Sequence, residues 1–213
     1  LGALGAGGAF LAFGVTALSV RDGRDLGWER ALLLGLREPG DPADPVGPAW
    51  FEASVMDLTA LGGFAVLALV TLLAVGFLLA QRQPGSALMV AIAVGGGTVL
   101  SEGLKTVFAR VRPDFVAHIV ETTSMSFPSG HAMLSAVTYL TLGALLAQAQ
   151  EQARLRRYIL GAAIAVTLLI GVTRVYLGVH WPTDVLAGWC LGASWALLCW
   201  SIAAWLHARA APH

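Results

Sequence analysis

Val185-Leu-Ala-Gly-Trp-Cys-Leu-Gly-Ala-Ser-Trp-Ala-Leu-Leu-Cys-Trp-Ser-Ile-Ala-Ala-Trp-Leu206 runs for 22 residues without a charge. As a helix rising about 1.5 Å per residue, it reaches across a hydrocarbon core of about 30 Å. A strand of a membrane barrel would alternate apolar and polar residues, and this run does not. Leu1–Val20, Leu58–Ala80 and Ala132–Gln150 are likewise uncharged. Ser86–Ser101 and Tyr158–Thr173 are shorter uncharged runs that continue helically to Lys105 and Arg174. The expectation is an all-α bundle of six transmembrane helices, a single domain over residues 1–213. The first run is long and has no basic residues before it, unlike a secretory signal peptide.

Composition agrees. Hydrophobic residues make up 57% of the 213 and charged residues 12%, with a mean hydropathy of +0.73. A soluble domain carries about 25% charged residues. The 13 basic and 13 acidic residues cancel, which removes a general case for nucleic-acid binding. Disorder and a disulfide scaffold fail on composition too. Cys190 and Cys199 stand nine residues apart on one expected span, about 13 Å along its axis. They cannot bridge each other and read as packing residues. What remains is an integral membrane protein whose few charges need individual explanations.

The longest connection, residues 21–57, has structure of its own. Asp25 suits the cap of a short helix, and Leu26, Trp28, Leu32, Leu33 and Leu36 give it an apolar stripe. That pattern describes an interfacial helix between spans one and two. Gly40-Asp-Pro-Ala-Asp-Pro-Val-Gly-Pro48 then breaks any helix. On the opposite side of the membrane the connections are short, Gln81–Gly85 and the arginine-rich Glu151–Arg157.

Three polar clusters remain: Lys105-Thr-Val-Phe-Ala-Arg-Val-Arg112-Pro113, Pro128-Ser129-Gly130-His131, and Thr173-Arg174 followed by His180-Trp-Pro-Thr-Asp184. With six spans they fall at the end of three, the start of four, the end of five and the start of six, all on one side. Lys105 and Arg112 are seven apart, so one helical face over two turns would present both, although the proline after Arg112 favours an extended chain there. Arg174 adds a third cation. Cations at a membrane boundary face the bundle interior or a water-filled cavity, and three together repel unless an anion lies between them. A phosphoryl group suits them. Ser129 and Gly130 open a span, where free backbone N–H groups attract anions.

His180 and Asp184 sit one turn apart, so the carboxylate can hold Nδ1–H and leave Nε2 free as a nucleophile. Of the two histidines, His131 and His180, one would attack phosphorus and the other protonate the leaving oxygen. Glu102, one turn before Lys105, would orient or balance it. Asp57, Glu52 and the Leu26–Leu36 stripe would shape a lateral entrance for a lipid headgroup. His118 reads as solvated, and His207 and His213 as incidental. Singly, each motif residue has a plain alternative: a snorkelling anchor, a turn, a cap or a boundary histidine. Their spacing, order and shared side favour one joint site.

These residues resemble the three-part signature of the type-2 phosphatidic acid phosphatase (PAP2) superfamily: Lys-x6-Arg-Pro, Pro-Ser-Gly-His and Ser-Arg-x5-His-x3-Asp. The match spans Lys105 to Asp184, with Thr173 in place of the usual serine. The resemblance implies a membrane lipid phosphatase that acts through a phosphohistidine. His180 would be the nucleophile, Asp184 its orienting group, and His131 the general acid and then base. Lys105, Arg112, Arg174, Ser129 and the Gly130 amide would hold phosphate oxygens. Neither a metal nor a cofactor is implied. The expected partner is a lipid substrate held in the bilayer, such as phosphatidylglycerophosphate, phosphatidic acid, undecaprenyl pyrophosphate or a lipid A phosphate. The rival readings are an inactive lipid-phosphate binding or transport protein and a vanadate-dependent haloperoxidase.

Arg82, Arg154, Arg156, Arg157 and Arg209 lie on the side away from the motifs. The motif side has eight of the 13 bases and twelve of the 13 acids. Because the densest cluster near span ends is Arg154–Arg157, the expectation is a multi-pass bacterial plasma-membrane protein with both termini in the cytoplasm and the active site outside.

Overall fold

The structure, a computed structural model, describes residues 2–22, 27–120 and 124–210, which contain eight helices and one short β-ribbon. The expected cap at Asp25, and Leu26, Leu1 and His213, fall outside those residues. The helices are α1 (Gly2–Arg21), α2 (Gly27–Gly35), α3 (Ala49–Ala60), α4 (Phe64–Ala80), α5 (Pro84–Phe108), α6 (Gly130–Gln148), α7 (Ala153–Tyr176) and α8 (Pro182–Ala210). The prolines at the starts of α5 and α8 fit the first turn, where a missing N–H costs nothing.

Four helices, α5 to α8, are long and apolar enough to cross a bilayer. One continuous helix over Leu58–Ala80 is not formed. Instead α3 and α4 meet at a bend of 45°, a fifth span only if the two are counted together. The turn holds Gly62 and Gly63. A Cβ on Gly62 would lie 2.4 Å from Ile170 Cγ2 and 3.3 Å from His131 Cδ2. Only a glycine lets the chain pass this close to α6 and α7. In α1 the apolar stretch Gly5–Arg21 is shorter than the four full-length spans.

Lipid tails are as apolar as leucine, so helices in a bilayer gain by close packing of small residues. Gly188 and Gly192 place α8 directly on α6. A Cβ on Gly188 would stand 2.8 Å from the Ser129 carbonyl oxygen, and one on Gly192 would stand 2.5 Å from that of Met133. Two tryptophans of α8 use the same device. Trp189 lies over Gly171 of α7 and donates to Thr167 O at 3.0 Å; Trp195 lies over Gly96 of α5 and donates to Ala93 O at 2.8 Å. Beneath the motif loops, Phe127, Met133, Ala187 and Leu191 pack with Phe13 of α1. Leu69, Leu72, Val99 and Ile202 point outward, as a surface bathed in lipid requires.

The Gly40–Pro48 stretch does break the helix, and part of it forms a ribbon. β1 (Arg37–Glu38) pairs antiparallel with β2 (Asp41–Pro45), turning at Gly40 with φ 91°. Tyr176 donates to Val46 O at 3.0 Å and Arg37 Nη1 donates to Tyr176 O at 2.9 Å, tying this segment to the end of α7. The apolar stripe expected on α2 is split. Leu33 is buried, but Trp28 and Leu32 are exposed, and the second buried position on the helix is Glu29. A carboxylate with partners below it turned the helix, against the apolar pattern.

Gly192→Ala is expected to lower the melting temperature, since overpacking costs about 1–3 kcal/mol. Gly95→Ala, which enters open space, should leave it nearly unchanged. Equal melting temperatures in detergent for the two variants would count against the α6–α8 contact as the structural key.

Candidate active site

The four helix ends expected to share a side do converge. They enclose a cavity of about 510 Å³ lined by Lys105, Arg112, Gly130, His131, Arg174 and His180, with Glu102 at one wall. The bent α3–α4 pair closes another wall with Met56, Thr59, Gly62 and Phe64. Asp57 and Glu52, expected at a lateral entrance, are not among the lining residues; α3 contributes its neighbours instead.

α5 ends sooner than two turns past Lys105. Ala109 takes a left-handed conformation, φ 44°, and caps the helix. Lys105 therefore stays on α5 while Arg112 lies beyond it in an irregular stretch, which corrects the expectation of one shared helical face. The turn swings Arg112 across the cavity to His180. Its Nη1 lies 3.2 Å from His180 Nε2 and also donates to Val179 O, while Nε donates to Ser124 O at 2.9 Å. Lys105 pairs with Glu102 at 2.7 Å, so the acid one turn away does balance it. Arg174 is 3% exposed and donates to Thr59 Oγ1 at 3.0 Å, while its Nε has no partner among the described residues.

Gly130 is the point where α6 begins. A Cβ there would stand 3.3 Å from Lys105 Nζ, so the glycine lets the lysine approach the helix end. Ser129 is fully buried; its Oγ caps α6 by accepting from Ala132 N at 3.5 Å. Its side chain is not part of the cavity lining, and Gly130 and His131 present the helix terminus there.

His180 and Asp184 are 2% and 0% exposed. Asp184 Oδ2 accepts from the Trp181 backbone N–H at 2.9 Å and from Ser126 Oγ, and stands 3.4 Å from His180 Nδ1. That last contact is longer than an ordinary N–H···O bond. Burial is the main influence on His180 and lowers its pKa to about 4, with Arg112 and Arg174 acting in the same direction and Asp184 opposing them. The ring is therefore neutral near pH 7. Burial also lowers the pKa of Arg112, again against Asp184.

Five contacting residues escaped the sequence reading. Arg110 lies inside the six-residue spacer between Lys105 and Arg112. Its Nη1 donates to Asp184 Oδ1 at 2.6 Å and to Thr183 Oγ1 at 2.7 Å, and its Nη2 donates to Glu29 Oε2 at 2.9 Å. Glu29 Oε1 in turn accepts from Thr183 N at 2.9 Å and Thr183 Oγ1 at 2.7 Å. Ser126 and Thr59 complete the set. A signal existed for two of them: Arg110 is a charge at a membrane boundary, and Glu29 is an acid set within the stripe of Trp28, Leu32 and Leu33. Nothing local marked Ser126, Thr59 or Thr183. His118 contacts Pro113 O outside the cavity lining. Among the described residues, no three His, Cys, Asp or Glu side chains converge as a metal site.

A histidine backed by an aspartate, on a cavity lined by three cations, defines a class of site suited to phosphate. The chain belongs to the PAP2 superfamily, whose family model matches residues 85–208. It is 36% identical over 147 residues to phosphatidylglycerophosphatase B of Bacillus subtilis, covering 67% of this chain and 70% of that protein. It is 40% identical over 119 residues to the undecaprenyl-diphosphatase of Sulfolobus acidocaldarius, covering 54% and 52%. The crystal structure of a transmembrane PAP2 type phosphatidylglycerolphosphate phosphatase from Bacillus subtilis superposes with a TM-score of 0.81 at 28% identity, over 92% of this chain and 94% of that one.

Thr59→Val removes the hydroxyl that accepts from buried Arg174. An unpaired buried donor costs about 1–3 kcal/mol, so the variant is expected to melt lower and to bind vanadate more weakly. Calorimetry with vanadate titration checks this, and wild-type values for both would refute it.

Proposed function

We propose that this chain removes a phosphate group from a lipid monoester or diphosphate through a phosphohistidine on His180. It is a membrane phosphatase of the PAP2 superfamily, and its relatives act on lipid phosphates. The observation that carries the mechanism is the placement of His180 Nε2 beside Arg112, on a cavity that also receives His131, Lys105 and Arg174.

The steps follow from those positions. The lone pair on Nε2 attacks phosphorus, and the bond from phosphorus to the lipid oxygen breaks. His131 donates a proton to that oxygen. It then takes a proton from water, and the resulting hydroxide attacks the phosphohistidine, releasing inorganic phosphate and restoring His180. Asp184 steadies the ring through Nδ1. Lys105, Arg112, Arg174 and the Gly130 amide stabilise the phosphoryl oxygens, whose charge is fixed in place before the reaction begins. Ser129 supports them by holding the start of α6. Glu102 keeps Lys105 oriented.

Phosphatidylglycerophosphate is the first substrate to test, given the relatives. Phosphatidic acid, undecaprenyl diphosphate and lipid A phosphate belong to the same assay. The membrane arrangement we favour is six spans in one domain, with α1 and the broken α3–α4 pair joining α5 to α8, and with α2 in the interface. The Arg82, Arg154–Arg157 and Arg209 end would face a bacterial cytoplasm, leaving the cavity outside.

His180→Ala is expected to abolish phosphate release, and His131→Ala to reduce it by at least about 100-fold. Acid-labile, base-stable phosphate should be trapped on the wild type and absent from His180→Ala. Because His180 is neutral above about 4, kcat/KM should persist through mildly acid pH and fall as pH drops towards that value. Release by His180→Ala at the wild-type rate would end this mechanism. For sidedness, a maleimide that cannot cross membranes should label a cysteine at residue 118 in intact cells and leave one at residue 83 unlabelled, in a background lacking Cys190 and Cys199. The reverse pattern would invert the orientation.

A further inference from the structure

The segment before α3 has no part in that mechanism, yet among the described residues its one buried carboxylate reaches Asp184 through a single side chain. Glu29 is 1% exposed, and all the partners described for it are donors: the Thr183 backbone N–H, the Thr183 hydroxyl and the Arg110 guanidinium. Arg110 spends its planar fork on two carboxylates, with Nη1 on Asp184 Oδ1 and Nη2 on Glu29 Oε2. The arginine is 17% exposed and the acids 1% and 0%.

Consider the charge of this trio. Asp184 and Arg110 alone would form a neutral pair, and the carboxylate that faces His180 would be largely cancelled by the guanidinium behind it. Glu29 supplies a second carboxylate, so the trio as a whole has one negative charge. That charge lies beside a ring that becomes cationic as Nε2 bonds to phosphorus. Elsewhere around His180 stand two arginines, Arg112 from the loop and Arg174 from α7, with the general acid His131 on α6. Asp184 and its supporters are therefore what offsets a positive ring, at short range in a buried site where such charges are weakly screened.

We infer that Glu29 of α2 is a positioning residue for phosphoryl transfer, holding Arg110 so that Asp184 keeps its negative charge available to His180. The role of the first connection is thus electrostatic as well as structural, because α2 delivers an acid that the motif region itself does not contain. The inference rests on the reading of His180 as nucleophile. It also assigns Arg110, inside the Lys105–Arg112 spacer, the task of joining the two carboxylates.

Glu29 also caps α8 through Thr183, so the test has to separate charge from capping. Single-turnover rate constants with phosphatidylglycerophosphate serve, because a rate constant does not depend on what fraction of the protein folds. Glu29→Gln keeps the shape and removes the charge. It is expected to slow the single turnover by about 10-fold or more, in the range that loss of an orienting partner commonly produces, with KM within about two-fold of wild type. Thr183→Val removes the hydroxyl's contacts to Glu29 and to Arg110, keeps the backbone contact to Glu29 and keeps all three charges. It is expected to lower the melting temperature and leave the single-turnover rate near wild type. A Glu29→Gln enzyme that turns over at the wild-type rate would overturn the inference, as would equal slowing in the two variants. His180→Ala run alongside keeps the two readings apart. If that variant still releases phosphate, the nucleophile has been misassigned; if it is inactive while Glu29→Gln is normal, only the role of Glu29 fails.

Discussion

A fully buried carboxylate must find enough partners to replace the water it has lost, and Asp184 finds them on three separate pieces of chain. Arg110 comes from the stretch after α5, Ser126 from the stretch before α6, and both His180 and the Trp181 amide from the α7–α8 turn. The Asp184 carbonyl adds a fifth tie by accepting from Ser129 N at 3.0 Å. Each partner belongs to, or adjoins, a segment that ends at the cavity. The need to satisfy one acid therefore sets the relative position of the motif loops, and Glu29 extends the same network to α2.

The helices below make that arrangement possible. α8 approaches α6 closely because Gly188 and Gly192 leave no side chain between them, and this brings Asp184 level with the α6 N-terminus. Across the cavity, Gly62 lets the bent α3–α4 pair press against His131 and Ile170. In each place the missing Cβ sets a backbone distance, and the backbone distance sets where a polar group stands. A bilayer offers little hydrophobic drive between helices, so such contacts weigh more here than they would in a water-soluble core.

The cations obey a different constraint. Lys105, Arg112 and Arg174 line one cavity, and among the described residues their partners are a carboxylate for Lys105, carbonyls and a hydroxyl for Arg112, and one hydroxyl for Arg174, whose Nε has none. Such a set is costly when empty and well matched to an anion bearing several oxygens. The spacing of these three cations in the sequence points to the same anion.

Much of this was legible in the amino-acid order. Uncharged runs of about 20 residues mark membrane helices because no other backbone arrangement but a closed barrel is satisfied in lipid. The polar residues that remain are too few and too expensive to be scattered, so Lys105, Arg112, His131, Arg174, His180 and Asp184 stood out, as did Glu102 beside its lysine. The cap at Ser129 and the free helix end at Gly130 follow from local rules. Contacts between residues far apart in the chain decided everything else. No periodicity could show that Ala109 would turn the chain left-handed and send Arg112 over to His180. None could show that α3 and α4 would bend at Gly62, or that Thr59 would meet Arg174 from 115 residues away. Glu29 and Thr183 are separated by 154 residues, and in sequence Glu29 interrupts an apolar stripe. Local order determines which residues lie in the membrane and which must be explained. Only three-dimensional packing decides which buried charges meet, because a charge interacts across space with whatever the fold brings near it.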